Sequence, residues 1–273
     1  MGNSALSRNV IVLDQKGKRR QSDVYPRFLS EIDYFWGVTP ERMVIKNNVT
    51  NPLHQIDVSC GKILIEGSLI DSVGVTVDVT VSGVNGVDIG VEVNNTWYYI
   101  WLIYNPTTDT VAGLFSTSST NPTLPTGYTK KRLVGAVRNN VSSNFLRFKQ
   151  INNMVWYDEN YVTTLMVNNF NNTAYSSYDA AVWFPHVIAS EILLKVACGD
   201  STGDNAAVVT VRPNGFTLGE IRTNISAQVA GTLAVGQRLP VRMIMLSSVL
   251  DYKVSNAAES GDIYMDGFKL KLW

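Results

Sequence analysis

Residues 73–93 constrain this chain more than any other stretch. From Val73 to Val81 every odd position is valine, with Gly74, Thr76, Asp78 and Thr80 between them, and the alternation resumes over Val87, Ile89, Val91 and Val93. A period of two with one dry and one wet face marks half-buried antiparallel strands. A two-residue Asn85-Gly86 turn would aim the two apolar sets in opposite directions. A three-residue loop, Val84-Asn85-Gly86 with Gly86 left-handed, pairs Val81 with Ile89 and Val79 with Val91 and keeps one dry face. The expectation is a hairpin at this place and an all-β chain around it.

The totals agree with sheets. With 273 residues, 45% hydrophobic and 17% charged, the chain can bury one large core or two smaller ones. The formal net charge is zero, so no overall electrostatic footprint points to nucleic acid. The basic run Lys16, Lys18, Arg19, Arg20 is read as a solvated or partner-facing segment. Cys60 and Cys198 are expected as buried thiols. The longest apolar stretch, Trp97 to Tyr104, is strand-sized, so no membrane insertion is expected. The N-terminus lacks a signal-peptide core, and Leu6 stands where a myristoylation motif wants Ser or Thr.

Three regions follow from composition. Residues 1–57, punctuated by Pro26, Pro40 and Pro52, read as an extended N-terminal attachment arm with a short helical turn near 26–36. Tyr34, Phe35 and Trp36 are too apolar to leave in water, and together with Arg19 and Arg20 they are the expected docking residues. Residues 58–150 read as a first β-sandwich module, and a chain lacking residues 1–50 is expected to fold. Residues 151–273 read as a second, jelly-roll-like β-sandwich module. Strands are expected at 97–104, 111–115, 133–137, 145–151, 162–167, 188–198, 206–212, 241–246 and 264–272. At the end, Phe268, Leu270 and Leu272 point one way and Lys269 and Lys271 the other, as in a half-buried closing strand.

Motifs for catalysis are absent: no G-x-S-x-G, P-loop, dinucleotide fingerprint or HExxH. His54 and His186 are the only histidines, and His186 reads as a packed rather than a ligating residue. Asp158, Glu159, Asp251, Glu259 and Asp262 supply carboxylates for glycosidase chemistry, but acidic residues at turns are ordinary. The loop Gly199–Asn205 has oxygen ligands suited to Ca²⁺, without the spacing of the twelve-residue calcium loop. No enzyme, cofactor or metal site is expected. Exposed aromatics offer a different chemistry, because sugar faces stack on Trp and Tyr. Trp156-Tyr157, Tyr175 with Tyr178, and Trp183 are candidates for such a platform, against core or interface packing as the alternative, and Asn172, Tyr175 and Tyr178 of the polar-aromatic run 171–178, of the kind found in adaptable contact loops, are with Trp183 the expected surface-recognition residues.

Certain residues carry a resemblance. Trp97-Tyr98-Tyr99, Tyr104-Asn105-Pro106-Thr107, Leu114-Phe115-Ser116-Thr117-Ser118, Pro122-Thr123-Leu124-Pro125-Thr126-Gly127-Tyr128 and Arg132-Leu133-Val134-Gly135-Ala136-Val137 together resemble a stretch recurring in virion proteins of tailed bacteriophages, often tail fibres. The likeness covers roughly residues 60–150 and rests on turn and strand residues, so it implies a shared fold and setting, not a reaction. It implies a structural virion protein, located in the particle after assembly in the bacterial cytoplasm. Its expected partners are further copies of itself in a trimer, other tail or capsid proteins, and a host-surface glycan. A carbohydrate-binding module, a capsid decoration protein and, least of all, a polysaccharide depolymerase are the alternatives.

Overall fold

The structure, a computed structural model, describes residues 42–158, 164–200, 206–216, 220–226 and 239–272. The expected helical turn near 26–36 therefore lies outside the described residues. Among the described residues sixteen strands follow one another: β1 (Val44–Asn47), β2 (Gln55–Ile65), β3 (Ser68–Asp78), β4 (Thr96–Asn105), β5 (Thr110–Ser116), β6 (Lys130–Asn139), β7 (Phe148–Ile151) and β8 (Met154–Tyr157), then β9 (Leu165–Phe170), β10 (Ser176–Asp179), β11 (Ala189–Asp200), β12 (Ala206–Pro213), β13 (Ile221–Ser226), β14 (Leu239–Ile244), β15 (Val249–Val254) and β16 (Glu259–Leu270). The fold is all-β, with every strand-to-strand pairing antiparallel.

One long sheet organises the molecule, in the order β14-β11-β16-β8-β7-β1-β2-β3, with β9 also on β16. A single row of side chains crosses all eight strands of that path: Val75, Val58, Ile45, Gln150, Val155, Phe268, Ile192 and Met243, each paired with the next in register. Partners in register share a face, so this row is one continuous inner surface. The chain passes through residue 151 inside the tight β7–β8 hairpin, and strands from either side of it lie in this one sheet. Two shorter sheets, β5-β4-β6 and β10-β15-β12-β13, supply the opposing layer, and one buried apolar cluster draws on all three sheets. Trp97 of β4 meets Phe268 of β16 edge-on at 5.8 Å and donates its indole N–H to the Ala181 carbonyl at 2.9 Å.

The expected hairpin at residues 73–93 is not formed. The valines of β3 pair with β2, Val75 opposite Val58 and Val77 opposite Ile56. The turn that joins them is Glu66-Gly67, with both residues at positive φ. Past Asp78 the chain leaves the sheet. Asn85, not Gly86, takes the left-handed conformation, at φ 59°. Its side chain accepts from the Gly113 N–H at 2.8 Å while its own N–H donates to the Gly113 carbonyl at 3.0 Å. Val87 then bridges Phe115 in parallel. The segment lies against the edge of β5 rather than against β3, which ends the long sheet with β2 as its one strand neighbour.

Two other expectations change for the same reason, that strand neighbours are set by the whole sheet. β1, within the expected arm, is a central strand between β7 and β2, with Met43, Ile45 and Ile56 buried. A chain lacking residues 1–50 therefore loses part of its core. The final strand buries Phe268 and Leu270 as expected, yet it is an interior strand bordered by β11, β8 and β9 rather than a closing edge. Tyr104, Trp101 and their neighbours in β4 are apolar on both faces because β4 is central and both its faces are covered. The second face packs beneath Leu124 and Tyr128 of the loop after β5.

A polar residue in the core has a specific cause. The β4–β6 register shifts between Ile100, opposite Gly135, and Trp101, opposite Leu133, so Val134 is the extra residue of a bulge and falls out of the ladder. Gln150, fully buried, donates to the Val134 and Asn152 carbonyls at 2.7 Å each. Gly135 leaves it room: a Cβ there would stand 2.7 Å from Gln150 Oε1 and 2.9 Å from Ile45 Cδ1. Replacing Gln150 by Leu strands a buried carbonyl and is expected to cost about 1–3 kcal/mol, read as a lowered Tm. A chain starting at Arg42 is expected to melt as cooperatively as the full chain, whereas one starting at Asn51 loses β1 and its cooperative transition. Calorimetry of the two truncations checks this.

Candidate functional site

The four-stranded sheet has an apolar inner face and a charged outer one. Val209 and Val211 of β12 and Leu250 and Val254 of β15 point inward and are buried. The alternate positions face out, and register aligns them into two rows. Ser177, Asp251 and Arg212 form the first. Lys253, Thr210 and Arg222 form the second, with Tyr175 just before β10 at its head.

Tyr175 is the centre of this face. The Arg212 guanidinium lies 3.5 Å from its ring centroid and Lys253 Nζ 4.4 Å from it, both within range for cation–π attraction. Its hydroxyl donates to Glu220 Oε1, and Glu220 also holds Arg222 at 2.8 Å. Asp251 is buried and accepts from Asn214 at 2.7 Å, Ser177 at 2.8 Å and Arg212 at 3.2 Å. Burial alone would raise the Asp251 carboxyl, but these donors outweigh it and hold it below its ordinary value. Hydrogen bonds from Tyr175 and Arg222 lower Glu220 in the same way, while burial and the bond to Glu220 push the Tyr175 phenol up. The face is thus an aromatic platform held in place by paired charges, with Arg222 largely solvent-exposed beside it. With Arg212 and Lys253 both over its ring, Tyr175 orders these cations, and the surface offers amide, hydroxyl, ammonium and guanidinium donors to a ligand rich in oxygen acceptors.

The expected recognition residues divide between the two faces. Tyr175 is on the outer face, and Asn172 shapes its approach by donating to the Ala174 carbonyl at 2.8 Å and the Tyr252 carbonyl at 3.1 Å. Tyr178 and Trp183 are half-buried and pack against the core. Trp183 Nε1 donates to the Tyr178 hydroxyl at 2.9 Å, and the Tyr157 hydroxyl donates to the Trp183 carbonyl at 2.5 Å. Tyr178 alternates with the outward Ser177, so strand parity turns it inward. Arg212, Lys253, Glu220 and Arg222 escaped sequence reading, although the Pro213-Asn214-Gly215 turn beside them was visible. Arg19, Arg20, Tyr34, Phe35 and Trp36 lie outside the described residues, as do residues 201–205 of the loop considered for Ca²⁺ and Glu159.

Other chemistry-bearing residues serve the scaffold. Glu259 accepts from the Ser255 N–H and hydroxyl and from the Val208 N–H, and Asp262 accepts from the Asn169 N–H and the Tyr264 hydroxyl. His186 is exposed, its ring edge-on to Phe184 at 6.5 Å. Both cysteines are buried thiols. Among the described residues no group of three or more His, Cys, Asp or Glu is arranged to hold a metal ion, and no helix is long and apolar enough to cross a membrane.

No protein-family model and no curated protein matches this sequence. Among solved structures, a Bacillus thuringiensis Cry1Da tryptic core variant aligns with 84% of this chain and 52% of its own, at 7% identity and a TM-score of 0.20. The chain thus spans about half the length of that structure, and a likeness so shallow carries no argument about function.

The network generates a pH prediction. A carboxyl lowered in the folded state contributes stability that is present above its unfolded pKa, about 4, and lost as pH falls through the folded value. Asp251→Asn is therefore expected to melt below the unsubstituted protein at pH 7, with the gap narrowing as pH drops under about 4. Thermal melts of both proteins between pH 7 and pH 2.5 check the sign.

Proposed function

We propose that this chain is a structural component of a tailed-bacteriophage particle, anchored through its N-terminal segment and presenting the outer face of β10-β15-β12-β13 to a host-surface saccharide. The observation that carries the recognition half is the cluster of Arg212, Lys253 and Arg222 donors ordered around Tyr175 and fixed by Glu220 and Asp251, a donor surface suited to saccharide hydroxyl and carboxylate oxygens. Rigid sheets favour such a role, because a platform already held in its binding conformation loses little entropy on association. The virion half is supported by the resemblance over residues 60–150, which includes all of β4, β5 and β6. The first 41 residues precede a strand at the centre of the long sheet, so force on that segment would be delivered to the core rather than to an edge.

The two halves are tested separately. On an array of bacterial surface polysaccharides, the full chain is expected to bind a subset, and Tyr175→Ala to lose at least about tenfold in affinity, the loss expected for an anchor worth about 1.4 kcal/mol. Trp183→Ala is expected to lower Tm while leaving affinity per folded molecule unchanged, since Trp183 packs against the core on the side away from Tyr175's face. No binding to any polysaccharide by the folded protein overturns the recognition half. For the virion half, particles assembled with a chain starting at Arg42 are expected to lack the protein, and normal incorporation overturns the anchoring role.

A further inference from the structure

The dipeptide Asn-Gly occurs twice in the chain, and the fold treats the two copies in opposite ways. In this pair an asparagine side chain cyclises most readily, because glycine puts no side chain in the way of its own nitrogen reaching the neighbouring Cγ. Asn85-Gly86 is clamped. The Asn85 carboxamide oxygen accepts from the Gly113 N–H at 2.8 Å, and the Gly86 N–H donates to the Gly83 carbonyl at 2.9 Å. Gly86 is buried, and a Cβ on it would stand 2.3 Å from the Val81 carbonyl oxygen. Asn214-Gly215 is an exposed turn after β12. The Phe216 N–H closes that turn on the Pro213 carbonyl at 3.3 Å, with Gly215 at φ 81°, as a type II turn requires of its third residue. Among the described residues, no heavy atom beyond the chain neighbours lies within 4 Å of a Cβ built on Gly215, and its N–H meets no acceptor.

The Asn214 carboxamide has a particular neighbour. Its Nδ2 donates to Asp251 Oδ1 at 2.7 Å and to the Ser177 hydroxyl at 3.3 Å. Asp251 in turn holds Arg212 through Nε at 3.2 Å, and the Arg212 guanidinium lies over the Tyr175 ring.

We propose that Asn214 is a site of spontaneous deamidation, and that the reaction loosens the outer face of β10-β15-β12-β13. A solvent base removes the Gly215 amide proton, and the nitrogen bonds to Asn214 Cγ. The Cγ–Nδ2 bond breaks, and ammonia leaves carrying that proton. Water then adds to the cyclic imide and opens it to aspartate or isoaspartate, so one water is consumed for each ammonia released. The attacking nitrogen must swing toward Cγ, which the open surroundings of Gly215 permit and the clamp on Gly86 opposes. The product replaces a donor to Asp251 with a second carboxylate in its place. Two carboxylates so close cannot both stay ionised without cost, and Asp251 keeps only Ser177 and Arg212 as side-chain donors. None of this depends on what the face binds.

The test incubates the full chain in mildly alkaline buffer and follows the two Asn-Gly sites by peptide mass spectrometry and isoaspartyl methyltransferase labelling. Asn214 is expected to convert at least about tenfold faster than Asn85. Converted protein, separated by ion exchange, is expected to melt below the starting material at pH 7. The substitution Asn214→Asp separates the charge from the isoaspartyl backbone. A carboxyl disfavoured in the folded state costs stability only while it is charged, so this variant is expected to melt low at pH 7 and to rejoin the unsubstituted protein below about pH 4. Conversion at Asn85 as fast as at Asn214, no conversion at Asn214, conversion without a fall in Tm, or a gap in Asn214→Asp that persists in acid each overturn the proposal.

Discussion

The seam at β1 is the constraint on which the architecture depends. This four-residue strand joins β7 on one side and β2 on the other, so without it the long sheet becomes two separate sheets. Ile45 is its inward contact, opposite Val58 and Gln150 in register, and the Gly135 backbone lies close above its Cδ1. A short strand can hold such a position because its energy comes from neighbours on three sides, not from its own propensity. Gln150 links the same point to the upper layer. Its amide meets a carbonyl that the β6 bulge has removed from the ladder, so the bulge and the buried amide are complementary features. Without the amide the bulged carbonyl would lose its donor, while Gln150 Oε1 itself has no hydrogen-bond partner among the described residues.

Above that foundation, the two short sheets differ in how their outward faces are treated. The outer face of β5-β4-β6 carries Tyr99, Trp101, Ile103 and Leu114, and the following loop covers it, with the Trp101 indole donating to the Ser118 carbonyl at 3.2 Å. The outer face of β10-β15-β12-β13 has a polar surface instead, built from paired charges around one tyrosine. Exposed ion pairs contribute little to stability one at a time. A buried carboxylate with three donors, as at Asp251, is different, because it orients Arg212 and thereby Tyr175. This interdependence separates a platform from a scatter of surface charges.

The division between what was legible in the sequence and what was not follows distance along the chain. The alternation of Phe268 and Leu270 with Lys269 identified β16, and the two-faced apolarity of Trp97–Tyr104 identified a covered central strand, because both signals are local. β2 escaped notice because Cys60-Gly61-Lys62 interrupts its alternation, and β13 and β15 because Arg222, Asn224, Asp251 and Lys253 make them look like loop. At the site, Tyr175 was visible as part of a contact-loop composition. Arg212, Glu220 and Lys253 were not, since only the pairing register brings them beside it. Tyr178 shares that composition but falls on the inward parity of β10, a distinction that requires knowing where β10 begins, and Trp183 lies in the turn that follows β10.

The failed hairpin shows the limit of periodicity as a physical signal. A two-residue period states that alternate side chains need an apolar neighbour; it does not say which element supplies one. For Val75 and Val77 the neighbour is the upper layer over β2 and β3, and for Val87 it is the edge of β5. The hairpin argument assumed that the two halves of the pattern satisfy each other because they are close in sequence. Loop-closure entropy favours that assumption only weakly, and the apolar area offered by β2 outweighed it. What remains over Ile89–Val93 is the same requirement, still written in the side chains and met by nothing among the described residues. A pattern of this kind on a folded surface is therefore informative in proportion to how badly its local environment satisfies it.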